Sequence, residues 1–253
     1  MKSLEAIVVS PVSPFGLQGN SVRVRYQVAL LRKMGYRIHF IFANQDAIDK
    51  STLIKTSQFV DKLYFIEDSH RLKRRSSRRA YHPDDWYDGR ISIVTERILA
   101  RHDVSLILAN YIWNSRLFDD LDFRGHKLLD THDRFGNREQ NFREQKELPE
   151  WFFCSEEDEK SAIERSDITI AITDVEERYF RDLSDGARTR VFCLGLRFAK
   201  PKNLPKAKKF RFGYLGSANP TNLQSIKDLS KKLERSATPI QLHLYGPISN
   251  KLE

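Results

Sequence analysis

"LLDTHDRFGNR", residues 128–138, sets Asp130, His132 and Asp133 within four positions, just where an apolar run gives out. A histidine flanked by carboxylates can act as a base, orient an acceptor hydroxyl, or cap a helix. Arg134 and Arg138 follow and suit an anion. In "SPFGLQGNSV", residues 13–22, Gly16 and Gly19 allow backbone N–H groups to approach a ligand. Asn20 or Ser21 is placed to cap the helix that follows, leaving its N-terminus for an anion. The spacing is not a dinucleotide fingerprint. The first tight GxG is missing, and the second strand ends "FIFANQD", with Asn44 before Asp46. A nicotinamide dehydrogenase is therefore disfavoured. "LANYIWNS" supplies Asn110, Tyr111 and Trp113, amides and aromatics that suit a sugar face as well as a core edge. "YLGSANPTN" offers Gly216 and Ser217 in a turn between a strand and a helix. That placement favours a phosphate, although turn chemistry alone also explains it.

All four clusters follow apolar runs, and in open α/β sheets ligands bind outside the carboxyl ends of the strands. "EAIVVS" (5–10) reads as a buried strand. Val22, Tyr26, Ala29, Leu30 and Met34 then recur at helical spacing, Gly35 stops the helix, and "RIHFIFAN" is the next strand. This is a βαβ crossover. The alternation continues: strands at 62–67, 104–110, 126–133, 167–173 and 189–195, and helices at 89–102, 115–121, 155–166 and over "DVEERYFRDL". The expected fold is α/β, an open, doubly wound parallel sheet. Residues 1–198 form this domain, 199–209 a basic linker with the composition "AKPKNLPKAKK", and 210–253 the start of a second Rossmann-like domain. Two or three elements do not bury both faces of a parallel sheet, so the second domain reads as cut short.

Bulk properties narrow the class. In 253 residues the hydrophobic share is 40% and the aromatic share 11%, which fits a folded globular protein rather than a disordered one. No apolar stretch approaches the ~18–20 residues of a membrane span, and the N-terminus lacks the pattern of a signal peptide, so the default compartment is the cytosol. Cys154 and Cys193 lie in apolar surroundings without CxxC spacing and read as buried free thiols. The net charge of +9 points to an anionic partner: nucleic acid, acidic lipid head groups or a phosphorylated small molecule. "HRLKRRSSRRAYH", residues 70–82, concentrates six basic residues without an acid; a solvated loop explains it as well as a binding patch does. No nucleic-acid reader motif accompanies it. The seven histidines are scattered, without HxxxH or HExxH, so no metal site is expected. Walker and G-x-S-x-G motifs are absent as well.

Taken in order, these segments resemble a GT-B glycosyltransferase of the large retaining family 4. The carriers are "GNSVRVRYQVALLRKMGYRIHFIF", "ILANYIWNS", "LLDTHDRFGNR", "RSDITIAITDVEERYF" and "FGYLGSANPTNLQSI". The resemblance implies two Rossmann-like domains, the first for the acceptor and the second for a nucleotide-sugar donor. It implies hexose transfer from that donor to a glycan or lipid-linked acceptor in surface polysaccharide synthesis, without a cofactor or metal. His132 and Asp133 would contact the reacting sugar or hydroxyl. Gly16, Gly19, Asn20, Gly216 and Ser217 would hold donor phosphates, and Asn110, Trp113 and Arg138 the acceptor. Residues 71–82 would touch anionic membrane at its inner face. Ser217, Ala218 and Asn219 stand where the family's donor domain carries an Arg and a Lys, and its later acidic motif has no counterpart here. A transferase impaired in this chain is thus implied. The contrasting expectation is a non-catalytic α/β binding or assembly module completed by a partner chain.

Overall fold

The computed structural model describes residues 4–16, 18–44, 48–69, 81–144, 152–184, 189–195, 211–216, 218, 220–235 and 240–251. It divides into two units, residues 1–196 and 197–253. The first unit holds β1 (Leu4–Ser10), α1 (Gly19–Lys33), β2 (Tyr36–Ala43), α2 (Lys50–Phe59), β3 (Lys62–Ile66), α3 (Arg90–Leu99) and β4 (Val104–Asn110). After these come α4 (Leu117–Asp120), β5 (His126–Asp130), α5 (Arg138–Glu144), α6 (Glu156–Ile163), β6 (Ile168–Ala171), α7 (Asp174–Leu183) and β7 (Arg190–Cys193). All seven strands are parallel, in the order β3-β2-β1-β4-β5-β6-β7.

Central strands in such a sheet are buried on both faces, and β1 obeys this: Ala6, Ile7, Val8 and Val9 are fully buried. Alternation along the strand sends Ala6 and Val8 to the side of α1, where Val24, Val28 and Leu31 meet them. Ile7 and Val9 face the other side, with Ile91 and Ile98 of α3, Ala162 and Ile163 of α6, and Phe180 of α7. Burying each such side chain contributes roughly 1.5–3 kcal/mol, so this two-sided core is what fixes the sheet.

Several local expectations are corrected. The segment 126–133, expected as a strand running into a polar loop, makes that change after Asp130, where His132 takes a positive φ of 63° that no extended ladder accommodates. The short helix expected at 115–121 is present as the single turn of α4, Leu117–Asp120, but it is entered through a 3-10 turn, Ile112–Arg116, that the expectation lacks. Helix α2 goes unpredicted; its apolar face is thin, but Asp49 caps it by accepting from the Thr52 N–H at 2.9 Å. Both cysteines are free, yet only Cys154 is buried; Cys193 is half-exposed at the sheet edge.

The second unit contains β8 (Arg211–Leu215), α8 (Pro220–Glu234) and β9 (Gln241–Tyr245), with β8 and β9 paired in parallel. Ile226 and Ile248 are its buried apolar side chains among the described residues, while Phe212, Leu215 and Tyr245 are exposed. The proposed linker, 199–209, lies outside the described residues.

Candidate functional site at the carboxyl edge of the sheet

Parallel pairing brings the ends of β1, β4, β5 and β6 to one edge. The strand order reverses direction between β1 and β4, so the loops after these two strands part and leave a crevice. Asn20, in the first turn of α1, reaches across it: its amide Nδ2 donates to the Tyr111 hydroxyl at 2.8 Å. Tyr111 follows β4 directly with φ 71°, and its ring lies parallel to the His132 imidazole at 4.2 Å between centroids. Two neighbouring strands therefore both exit through left-handed residues whose rings stack. Such backbone costs on the order of 1–3 kcal/mol per residue and persists only where packing over-determines it.

His132 is held in one tautomer. Asn110 donates its Nδ2 to the Val9 carbonyl at 3.0 Å, which turns its Oδ1 towards His132 Nε2 at 2.7 Å. Because that oxygen only accepts, Nε2 must carry the proton, and Nδ1 keeps its lone pair. Burial lowers the imidazole pKa to about 4, with the Arg23 charge acting the same way and Asp130 opposing. His132 is thus a neutral imidazole at physiological pH, able to accept a proton or a hydroxyl hydrogen bond at Nδ1 but not to act as a cation. Asp133 is half-buried, and its carboxyl is pushed above the ordinary range by burial while the Arg138 charge opposes. Glu176 of α7, also raised by burial, feels the Asp133 charge. His132, Asp133 and Glu176 therefore line one stretch of the edge.

Beneath them lies a pin that the sequence reading passed over. Arg23 of α1 is buried, with Nε on Asp130 Oδ2 at 2.7 Å, Nη1 on the Leu194 carbonyl at 2.7 Å and Nη2 on the Ala171 carbonyl at 3.1 Å. Gln27 Nε2 donates to the same Asp130 oxygen, and the His132 backbone N–H donates to the other at 3.2 Å. One guanidinium so ties α1 to the ends of β5, β6 and β7. Its signal in the sequence is the pair Arg23 and Gln27, four apart beside Val24 and Val28 on what proves to be the buried face of α1. Glu159 does similar work for the next turn: its carboxylate accepts from the Phe135 and Gly136 N–H groups at 2.7 and 2.8 Å and from the Tyr179 hydroxyl at 2.7 Å.

Other expectations change. Neither Asn20 nor Ser21 caps α1; Gln18 occupies the N-cap without a side-chain bond, and no acid stands in the first turn. Gly19 opens on space, since a Cβ there meets nothing within 4 Å, whereas one on Gly16 would lie 2.3 Å from Ser21 Oγ. Gly16 is thus explained by packing, and its N–H closes a turn onto the Ser13 carbonyl at 3.4 Å. Trp113 is no sugar platform: it is fully buried, stacked on Tyr111 at 4.6 Å and packed against Trp86, Phe135 and Phe152. Asn110 is equally buried, with its amide committed to Val9 and His132. Both act on the site from below rather than on an acceptor. Arg138 begins α5 half-buried near the Phe135 ring, 5.9 Å from its centroid. In the second unit the Gly216 N–H donates to the Tyr245 carbonyl at 3.1 Å, so that group is spent within the unit. Ser217 and residues 70–80 of the basic stretch lie outside the described residues.

No protein-family model matches the chain, and no curated protein does. Solved structures do. Phytolacca americana UGT2, solved with UDP-2-fluoro-glucose and pterostilbene, superposes with a TM-score of 0.59 over 95% of this chain, at 11% identity. The shared property is the fold, a Rossmann-like domain of the GT-B kind. The lipopolysaccharide outer core galactosyltransferase WaaB gives 0.57 over 99% of this chain and 63% of its own, at 14% identity. The N-terminal domain of Candida albicans trehalose-6-phosphate phosphatase gives 0.60 over 99% and 66%, at 12% identity. The chain spans 66% of the length of UGT2.

Proposed function

We propose that the protein is a glycosyltransferase, of the retaining kind that family 4 comprises, moving a hexose from a nucleotide sugar to a glycan or lipid-linked acceptor. The observation that carries this reading is His132: a buried, neutral imidazole of fixed tautomer, with a lone pair at the carboxyl edge of a GT-B-like sheet. In this role Nδ1 accepts a hydrogen bond from a hydroxyl of the transferred sugar or the acceptor. Asp133 contacts a neighbouring hydroxyl, and the uncapped N-terminus of α1 at Gly19 faces the departing diphosphate, where its dipole stabilises negative charge. No residue in this scheme needs a metal or cofactor. Surface polysaccharide as the product, and an anionic membrane touching residues 71–82 at its inner face, belong to the same reading.

A second reading, an α/β binding or assembly module completed by a partner chain, draws on the commitment of Asn110 and Trp113 to the core and on the range of names that share the fold. Incubating the protein with a panel of UDP-, GDP- and ADP-sugars, with release of the nucleotide followed over time, separates the two. Turnover or hydrolysis that drops at least 100-fold in His132→Ala supports the transferase. Failure of the protein to bind any nucleotide sugar sinks it, and full activity of the variant removes His132 from the mechanism.

A further inference from the structure

At the opposite edge, where the strands begin, Glu5 of β1, His39 of β2 and His102 of the α3–β4 turn converge. Glu5 Oε2 lies 2.9 Å from His39 Nε2 and 2.9 Å from His102 Nδ1, and the two imidazole centroids are 4.4 Å apart. Glu5 and His39 are buried, while His102 is 30% exposed and leaves a path to solvent. Placing a carboxylate and an imidazole on the core-facing side of a sheet is costly, and two apolar side chains would pack there without penalty.

We propose that Glu5, His39 and His102 form a binding site for a first-row divalent transition metal, zinc foremost. Two imidazole nitrogens and a carboxylate oxygen are the donor set of three-ligand zinc sites, in which a water or an exogenous ligand completes the tetrahedron. Ligand atoms ~2.0–2.2 Å from such an ion lie roughly 3.3 Å from one another; the two spacings to Glu5 Oε2 are 2.9 Å, and all three donor atoms lie within 4.8 Å of one another. The outer shell is in place. His39 Nδ1 sits 3.3 Å from the Tyr64 hydroxyl, so when Nε2 turns its lone pair to the ion the proton moves to Nδ1 and is donated to that oxygen. The three ligands are 34 and 63 positions apart along the chain, which is why no spacing motif betrays them.

The test is calorimetric titration of the chelator-treated protein with Zn2+, paired with the visible absorption of Co2+ at the same site. One equivalent should bind, and Co2+ should show the intense bands of a tetrahedral complex. His102→Ala, at a half-exposed turn that the fold tolerates, should weaken binding by about 100-fold or more, and Glu5→Gln similarly. Tyr64→Phe should keep the stoichiometry with affinity lower by about 10-fold. Cys193→Ser is the control, because Asp174, Glu177 and Cys193 are a second group with converging donor atoms, and it should leave the titration unchanged. A flat wild-type titration overturns the proposal. So does a His102→Ala protein, folded by circular dichroism, that binds zinc as wild type does.

Discussion

The sheet carries buried histidine at each edge, a single ring at one and a pair at the other, and the two are built on opposite principles. At the carboxyl edge His132 stands alone against an amide, a stacked tyrosine and a strained backbone, with its charged neighbour Asp130 already claimed by Arg23. At the amino edge two imidazoles share one oxygen of a carboxylate that has no guanidinium partner among the described residues. An isolated neutral imidazole with Nε2 held by Asn110 has one ring nitrogen left to accept a hydrogen bond, the property on which the proposed transferase role of His132 rests. A pair converging on one carboxylate oxygen brings together the donor set of the proposed metal site. The difference lies in the countercharge: at one edge Asp130 is paired with a guanidinium, at the other Glu5 is shared between two imidazoles.

The largest break in this comparison should come from Arg23→Ala, which leaves Asp130 buried without its counterion and frees α1 from three strand ends. The expected loss is ~3–5 kcal/mol in urea denaturation, with zinc affinity at the other edge unmoved. A loss below about 1 kcal/mol refutes the pin. Next is pH. An unfolded chain protonates His132 near the ordinary 6.5, the native one only near 4, so between these values the unfolded state holds the extra proton and stability falls as pH drops. From pH 7 to 4 this amounts to ~3 kcal/mol, and a His132→Gln variant should show a shallower decline by that amount. An identical slope in both proteins means that the imidazole is not neutral in the fold. Saturating zinc should then stabilise the wild type by ~2.7 kcal/mol at a hundred times Kd, and His102→Ala hardly at all, as thermal melts will read. Smallest is the glycine pair: Gly16→Ala should cost ~1–3 kcal/mol through its collision with Ser21, while Gly19→Ala stays within about 0.5. Equal losses at both positions contradict the open space around Gly19.

Much of the fold can be read from periodicity. Buried parallel strands are short apolar runs, and α1 lies where it is expected, ending before Gly35; its buried face, however, is Ser21, Arg23, Val24, Gln27, Val28 and Leu31, not the expected row Val22, Tyr26, Ala29, Leu30 and Met34. Helix α2 escapes because its face is nearly polar, and Asp49 with Ser51 and Thr52 is its only clear signature. The site was legible in position and less so in direction. His132 and Asp133 fall at a strand end as expected, yet Asn110 points inward from the last position of β4 and Trp113 is wound into the core by a 3-10 segment. Arg23, Glu5 and His39 were invisible as partners because each meets residues far along the chain or on another strand, and one sequence does not display pairings.

Arg23 also has a history in time. A ribosome releases it 107 residues before Asp130 and 171 before Leu194. At synthesis rates of roughly 5–20 residues per second, several seconds pass before either acceptor exists. During that interval a docked α1 would hold a naked cation against apolar strands, so the helix stays at the surface of the nascent chain. The βαβ unit of β1, α1 and β2 is thus made well before the carboxylate and carbonyls that its Arg23 binds.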